Sequence, residues 1–156
     1  MPEGGVEIQL TIQGLDRAVQ AISRARSNAS DLRPFFGRAA EIVRQAVLYQ
    51  FSTVGGRSGG WAPLSPWYAA WKASRGYGMR PIMVLTGRLS KSLIDREGNV
   101  IEEIHPDHMR WGTSVPYAAK HQLGLGRLPQ RKLIDLNQDD MSAMLAAMRE
   151  HLVQGV

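Results

Sequence analysis

The stretch from Asp31 to Ser52 constrains the fold more than any other part of the chain. Leu32, Phe35, Phe36, Ala39, Ile42, Val43, Ala46, Val47 and Phe51 recur at helical spacing and cover one broad face. Pro34 falls in the first turn, where an N–H has no intrahelical partner to lose. A helix of about 20 residues is roughly 30 Å long. With so wide an apolar face it predicts the spine of a domain. At 156 residues the chain is long enough to bury a core of its own, and residues 1–156 read as a single domain.

The flanking segments supply what packs on that spine. Val6 to Gln13 alternates apolar and polar residues, the period of a half-buried strand, and Gly14 closes it. Leu15, Ala18, Val19, Ile22 and Ala25 then predict an amphipathic helix over Leu15–Arg26, with Ser30 as the N-cap of the spine. Val54 to Gly60 holds four glycines in seven residues and predicts a mobile loop. It lacks the Lys-Ser/Thr pair of a phosphate-binding loop. Ser65 reads as an N-cap and Pro66 as the first residue of a short helix ending at Gly76. Trp61, Trp67, Tyr68 and Trp71 crowd this region as a small satellite core or a docking surface, the core being the simpler role.

Further on, Thr86 predicts the cap of a short helix over Gly87–Leu93. Ile94–Gly98, Asn99–His105 and His108–Thr113 read as strands of a meander turning at Glu97–Asn99 and at Pro106-Asp107. Pro116 opens a helix over Tyr117–Leu123, closed by Gly124. Leu133–Leu136 is strand-like. Asn137 caps a last helix over Gln138–Gln154, whose stripe of Met141, Met144, Leu145, Met148 and Leu152 reads as core. The fold class expected is α+β. A small, mostly antiparallel sheet from residues 6–13, 93–113 and 133–136 packs against the long helix and the C-terminal helix, with extended loops between.

The chain offers little chemistry. There is no Cys, so neither a disulfide nor a thiolate metal site can form. His105 and His108 flank a turn with no further ligand beside them, and no metal or cofactor is expected. Glu102 and Glu103 are adjacent on a predicted strand, so they point to opposite faces and cannot work as a pair. His121 could serve a hydrolase as a base, but no nucleophile stands at a motif spacing from it. No apolar run approaches the roughly 20 residues of a membrane helix, and the N-terminus lacks the layout of a signal peptide. Nineteen basic against fourteen acidic residues give +5. Arg57, Lys72, Arg75, Arg80, Arg88 and Lys91, interleaved with aromatics over residues 57–91, could bind a nucleic-acid strand. They could equally form a protein interface.

What remains distinctive is three signatures at loop-to-element junctions: WAPLSP from Trp61 to Pro66, TGRLSKS from Thr86 to Ser92, and GTSVPYAAKHQLG from Gly112 to Gly124. Their order and spacing resemble the phage virion-morphogenesis family, the tail-completion and neck proteins of Mu-like and P2-like tailed phages. That family shows a glycine loop before W-x-x-L-S-P with a Lys soon after, here Lys72. It then shows T-G-R-L-x-x-S, G-T-x-x-x-Y-A-x-x-H-Q-x-G, and a P-x-R matched by Pro129-Gln130-Arg131. The resemblance runs from about Phe36 to the C-terminal helix. Tyr68 and Lys132 depart from it, standing where a small hydroxyl residue and an aromatic are common.

The resemblance implies a non-enzymatic structural protein assembled in the host cytoplasm and located at the neck of the virion. Copies would close head to tail into a ring, a hexamer or dodecamer, joining the capsid connector or adaptor to the tail-terminator or tail-tube proteins. The glycine loop before Trp61 would order on docking. Genomic DNA would pass nearby in the channel, and no membrane is involved. Trp61, Leu64, Arg88, Leu89, Tyr117, His121 and Gln122 are the expected framework and contact residues, with Arg88 pairing a carboxylate across a subunit boundary. A tail-terminator ring and a nucleic-acid-binding module over residues 57–91 are the alternatives.

Overall fold

Helix α2, Arg33–Ser52, forms as its periodicity requires and is the spine of the molecule. The structure, a computed structural model, describes residues 15–154; the strand expected over residues 6–13 lies outside them. The two halves of α2 serve two cores. Val47 and Phe51 pack with Trp61, Leu89, Leu93, Val115, Ala118 and Leu133. Phe35 and Ala39 pack with Ala147, bordered by Met109, Met144 and Met148. Ser30 does not cap this helix. Its hydroxyl donates to the Ser27 carbonyl at 2.6 Å and so finishes the preceding helix. The N-cap position is Leu32, without a side-chain cap, and Asp31 Oδ1 just before it accepts the Arg33 N–H at 3.1 Å.

Helix α1, Leu15–Ala29, and helix α6, Gln138–Val153, complete a three-helix layer in which α6 contacts both α1 and α2. Asn137 and Asp140 cap α6 reciprocally, each side chain accepting the other's N–H at 2.9 Å. Its apolar stripe is only partly core. Met144 and Met148 border the second cluster, while Met141 and Leu145 are exposed.

Between spine and α6 lie α3, Pro66–Ser74, then α4, which begins at Arg88–Ser90 and runs on through a wider turn at Lys91–Asp95, and α5, Ala118–Leu123. Ser65 caps α3, its hydroxyl accepting the Tyr68 N–H at 3.3 Å. Gly124 ends α5 with φ +68°. The N-cap of α4 is Gly87, at φ +86°, and Thr86 only approaches the Arg88 N–H at 3.4 Å.

Among the described residues the sheet is one antiparallel hairpin, β1 Val100–Ile104 and β2 Met109–Thr113, pairing Glu102 with Trp111 and turning at His105–His108. The α+β class stands, with fewer strands than the sequence predicts. The first strand of the meander, Ile94–Gly98, is absent. Leu89 and Leu93, one turn apart, are both buried, and the helical spacing carries Ile94 into the end of α4. Arg96 then turns the chain through φ +58°. The strand expected at Leu133–Leu136 is also absent. The backbone groups that would have paired with a neighbouring strand bond to a side chain instead: Gln122 Oε1 accepts from Leu133 N–H at 2.7 Å and Ile134 N–H at 3.0 Å, and Gln122 Nε2 donates to the Ile134 carbonyl at 2.8 Å.

The glycine stretch is not the free loop that its composition predicts. It contains a short 3₁₀ turn at Gly56–Ser58, folded back over the end of α2. Gln50, fully buried, accepts the Arg57 N–H at 3.0 Å and donates to Ser58 Oγ at 2.8 Å and to the Lys132 carbonyl at 2.9 Å. The Arg57 guanidinium pairs with the Asp140 carboxylate, tying the loop to the start of α6. Glycine is needed at position 55 on two counts. Its φ is +83°, and a Cβ there would lie 2.7 Å from the Trp61 backbone nitrogen.

Candidate functional site

Three separated junctions converge on one face. The chain entering α3, the loop before α4 with its first turn, and helix α5 enclose an open groove of about 670 Å³, closed below by residues 127–131. Each of the three signatures contributes to its wall: Leu64 and Ser65 from the first, Thr86 to Leu89 from the second, Tyr117 and His121 from the third. The P-x-R segment adds Pro129 and Arg131. Of the seven expected residues, five line this groove: Leu64, Arg88, Leu89, Tyr117 and His121.

The other two hold it up from behind. Trp61 is buried edge-on against Phe51 with ring centroids 5.3 Å apart, and its Nε1 donates to the Lys132 carbonyl at 2.9 Å. Gln122 clamps residues 133–134 as described above and borders a second, smaller cleft between β2 and α5. Leu89 works on both sides, belonging to the core beneath and to the groove above.

Two cations in the wall are buried without a carboxylate. Lys72 is 3% exposed, and its Nζ donates to the carbonyls of Arg80 and Pro81 at 2.6 and 2.8 Å, which fastens α3 to the following loop. Arg131 is 4% exposed, with Nε donating to the Ala62 carbonyl at 2.9 Å and a terminal nitrogen to the Pro63 carbonyl at 3.0 Å. Desolvation lowers the pKa of both, aided at Lys72 by the nearby Arg80 charge. Two further cations stand exposed at the rim. Arg88 donates its Nε to Asn99 Oδ1 at 2.8 Å, and Arg127 has no partner among the described residues. Among the described residues no Asp or Glu lines the groove.

His121 lies in the same wall, beside Tyr117 at 6.3 Å between ring centroids. Burial, then the charge of Arg131, lowers its pKa and so favours the neutral ring. Its Nδ1 is buried without a partner. No serine, threonine or carboxylate hydrogen-bonds the ring among the described residues, so the dyad of a hydrolase is not assembled there. No group of three potential metal ligands occurs among the described residues; His105 and His108 stack on one another at 4.4 Å.

Sequence reasoning named Arg88, and Lys72 within the basic segment, but missed Arg127 and the charge of Arg131. Lys72 and Arg131 were visible as motif letters, but nothing in their spacing says that both are buried. Arg127 carries no signal beyond being a lone Arg in a loop. The aromatic cluster divides. Trp61 joins the main core, Tyr68 and Trp71 stack at 5.4 Å, and Trp67 keeps 75% of its surface exposed at the groove.

Comparison with known proteins gives one finding. No curated protein and no solved structure matches the chain. The phage virion morphogenesis family matches residues 10–153, nearly the whole length and all three signatures. The chain therefore belongs to the phage virion morphogenesis family.

Proposed function

We propose that this protein is a structural, non-enzymatic part of the virion that forms a ring at the head–tail junction and joins the capsid connector to the tail. The observation that carries the proposal is the convergence of the three signatures on one open groove, with no hydrogen-bonded nucleophile–base pair and no metal constellation in it among the described residues. Residues of this kind fix loop shape and present a surface. A second observation supports association between copies. Leu15, Val19 and Ile22 fall on one stripe of α1 at i, i+4 and i+7, and Ile22 is 70% exposed. Met141 and Leu145, one turn apart on α6, are exposed as well. Apolar surface of this kind marks contact sites, and a heterologous contact repeated around an axis closes a ring.

A nucleic-acid role for residues 57–91 is less favoured, because the cations it requires are largely engaged. Arg57 pairs with Asp140, Lys72 is buried on two carbonyls, and Lys91 lies 3.5 Å from Glu97. Arg75 and Arg80 lie over Trp71 and Tyr77. Electron microscopy of the purified protein, alone and added to isolated tails, tests the proposal. Rings of uniform diameter, hexameric or dodecameric by native mass, capping one end of the tail are expected. A protein that stays monomeric at high concentration and never decorates tails would overturn it.

A further inference from the structure

The groove has an unbalanced composition that points to what it holds. Among the described residues its wall carries Lys72, Arg88, Arg127 and Arg131 and no carboxylate. The two buried members each give two of their N–H donors to carbonyls, which leaves their charge uncompensated by any carboxylate among the described residues. The two rim members have guanidinium nitrogens to spare. The same wall is apolar between the charges, with Leu64, Trp67, Val84, Leu89 and Leu128 facing the space. A ligand that completes this surface brings negative charge and a large apolar side chain together.

We infer that the groove is the receptor for an acidic, apolar polypeptide segment of another virion protein, carrying two or more carboxylates around at least one large apolar side chain. Carboxylates suit the planar donor fork of Arg88 and Arg127, and the apolar side chain suits the floor at Leu64 and Leu89. A nucleic-acid strand fits less well. It needs a continuous track of exposed cations, and here the inner two are buried. The volume lies within the range for a compact ligand or a few side chains of a peptide, and the groove is open enough for a chain to enter and leave. This inference concerns a single copy of the chain and holds whether or not copies close into a ring.

The test is selection from a display library of random peptides, each about twelve residues long, on the intact protein, followed by anisotropy titration of the enriched peptides. The sequences expected to be enriched combine Asp or Glu with Leu, Phe or Trp. Replacing their acids by Asn and Gln, or making the double variant Arg88→Glu/Arg127→Glu, should weaken binding by about tenfold or more, and added salt should weaken it further. Both arginines are exposed, so the variant should melt with the parent protein, and a melting curve checks this. Enriched peptides without carboxylates, or binding indifferent to the double reversal, would overturn the inference. So would a single-stranded oligonucleotide that binds through these arginines where no acidic peptide does, or self-association that the double variant abolishes, since the occupant would then be DNA or a second copy. Sedimentation of the free protein reports on ring formation separately, so failure of one proposal is not mistaken for failure of the other.

Discussion

Gln122 and Arg127 sit on either side of one glycine cap, Gly124, and the fold treats them in opposite ways. Gln122 turns inward and uses three of the four hydrogen-bonding positions of its amide on residues 133–134, with its own backbone carbonyl accepting from Gln130 Nε2 at 3.1 Å. Arg127 reaches the groove and bonds nothing among the described residues. The same division runs through each signature. Trp61 is consumed by the core and Leu64 is left to the groove; Ser92 is buried against Leu89 and Thr113 while Arg88 is left at the rim. A distinctive residue that the fold has consumed is a stability residue. One left with spare capacity at a shared surface is a contact residue. The division is testable, because the two classes should respond differently to the same kind of substitution.

The largest effects belong to the consumed class. Trp61→Ala removes a buried ring from the main core and one of the two donors of the Lys132 carbonyl, which keeps Gln50 Nε2; a loss of about 4 kcal/mol is expected, read by urea unfolding. Gln122→Ala strands three backbone groups that no strand is present to satisfy. About 3 kcal/mol should be lost, and amide exchange at Leu133 and Ile134 should quicken before the molecule unfolds. Normal stability in Gln122→Ala would mean that the clamp is incidental and that the missing strand needs another explanation.

The sequence made the helices legible and half of the sheet illegible, for a physical reason visible at these same residues. Hydrophobic period revealed α1, α2 and α6 to within a few residues, and Pro116 with Gly124 bracketed α5, although period did not tell that the Leu15, Val19 and Ile22 stripe of α1 stays exposed. Ser65-Pro66 and Asn137 announced helix starts through local chemistry that needs no tertiary context. Residues 133–136 have the composition of a strand, but their partner is a glutamine side chain, and no local pattern encodes that. Ile94 belongs to a helix because Leu89 and Leu93 are buried together, a fact about packing. The glycine loop looked free because its restraints, Gln50 and Asp140, lie outside it in sequence. The site was legible as motifs but not as a charge distribution. Burial of Lys72 and Arg131 depends on where residues 62–63 and 80–81 bring their carbonyls.

A smaller effect tests the spine rather than the groove. Glu41 on α2 accepts from Arg44 at 2.5 and 2.8 Å and from Gln45 at 2.8 Å. Those bonds, Arg44 first, lower its pKa from 4.5 to about 2 against a small desolvation penalty. Because the folded pKa lies below the unfolded one, the contribution is complete above pH 4.5 and is lost as the pH falls through about 2. The carboxylate is half exposed and screened by solvent, so the amount is only on the order of 0.5 kcal/mol. Glu41→Gln should flatten the acid limb of a stability–pH profile by that much and leave the neutral limb slightly lower. An unchanged acid limb would mean that the pair is as strong in the unfolded chain.

The smallest expected change in stability is at Arg88, and there the difference between the two classes is sharpest. Arg88→Ala gives up one exposed hydrogen bond to Asn99 and should alter unfolding by no more than about 0.5 kcal/mol. If Arg88 is a contact residue for another virion protein, the same substitution should still reduce attachment to tails, counted by microscopy of assembled particles. Loss of stability together with assembly would place Arg88 among the consumed residues and make its link to Asn99 part of the framework. Neither loss would remove it from the contact surface and leave Arg127 as the rim cation to pursue. Only unchanged folding with failed assembly fits a side chain that the fold positions but does not itself require.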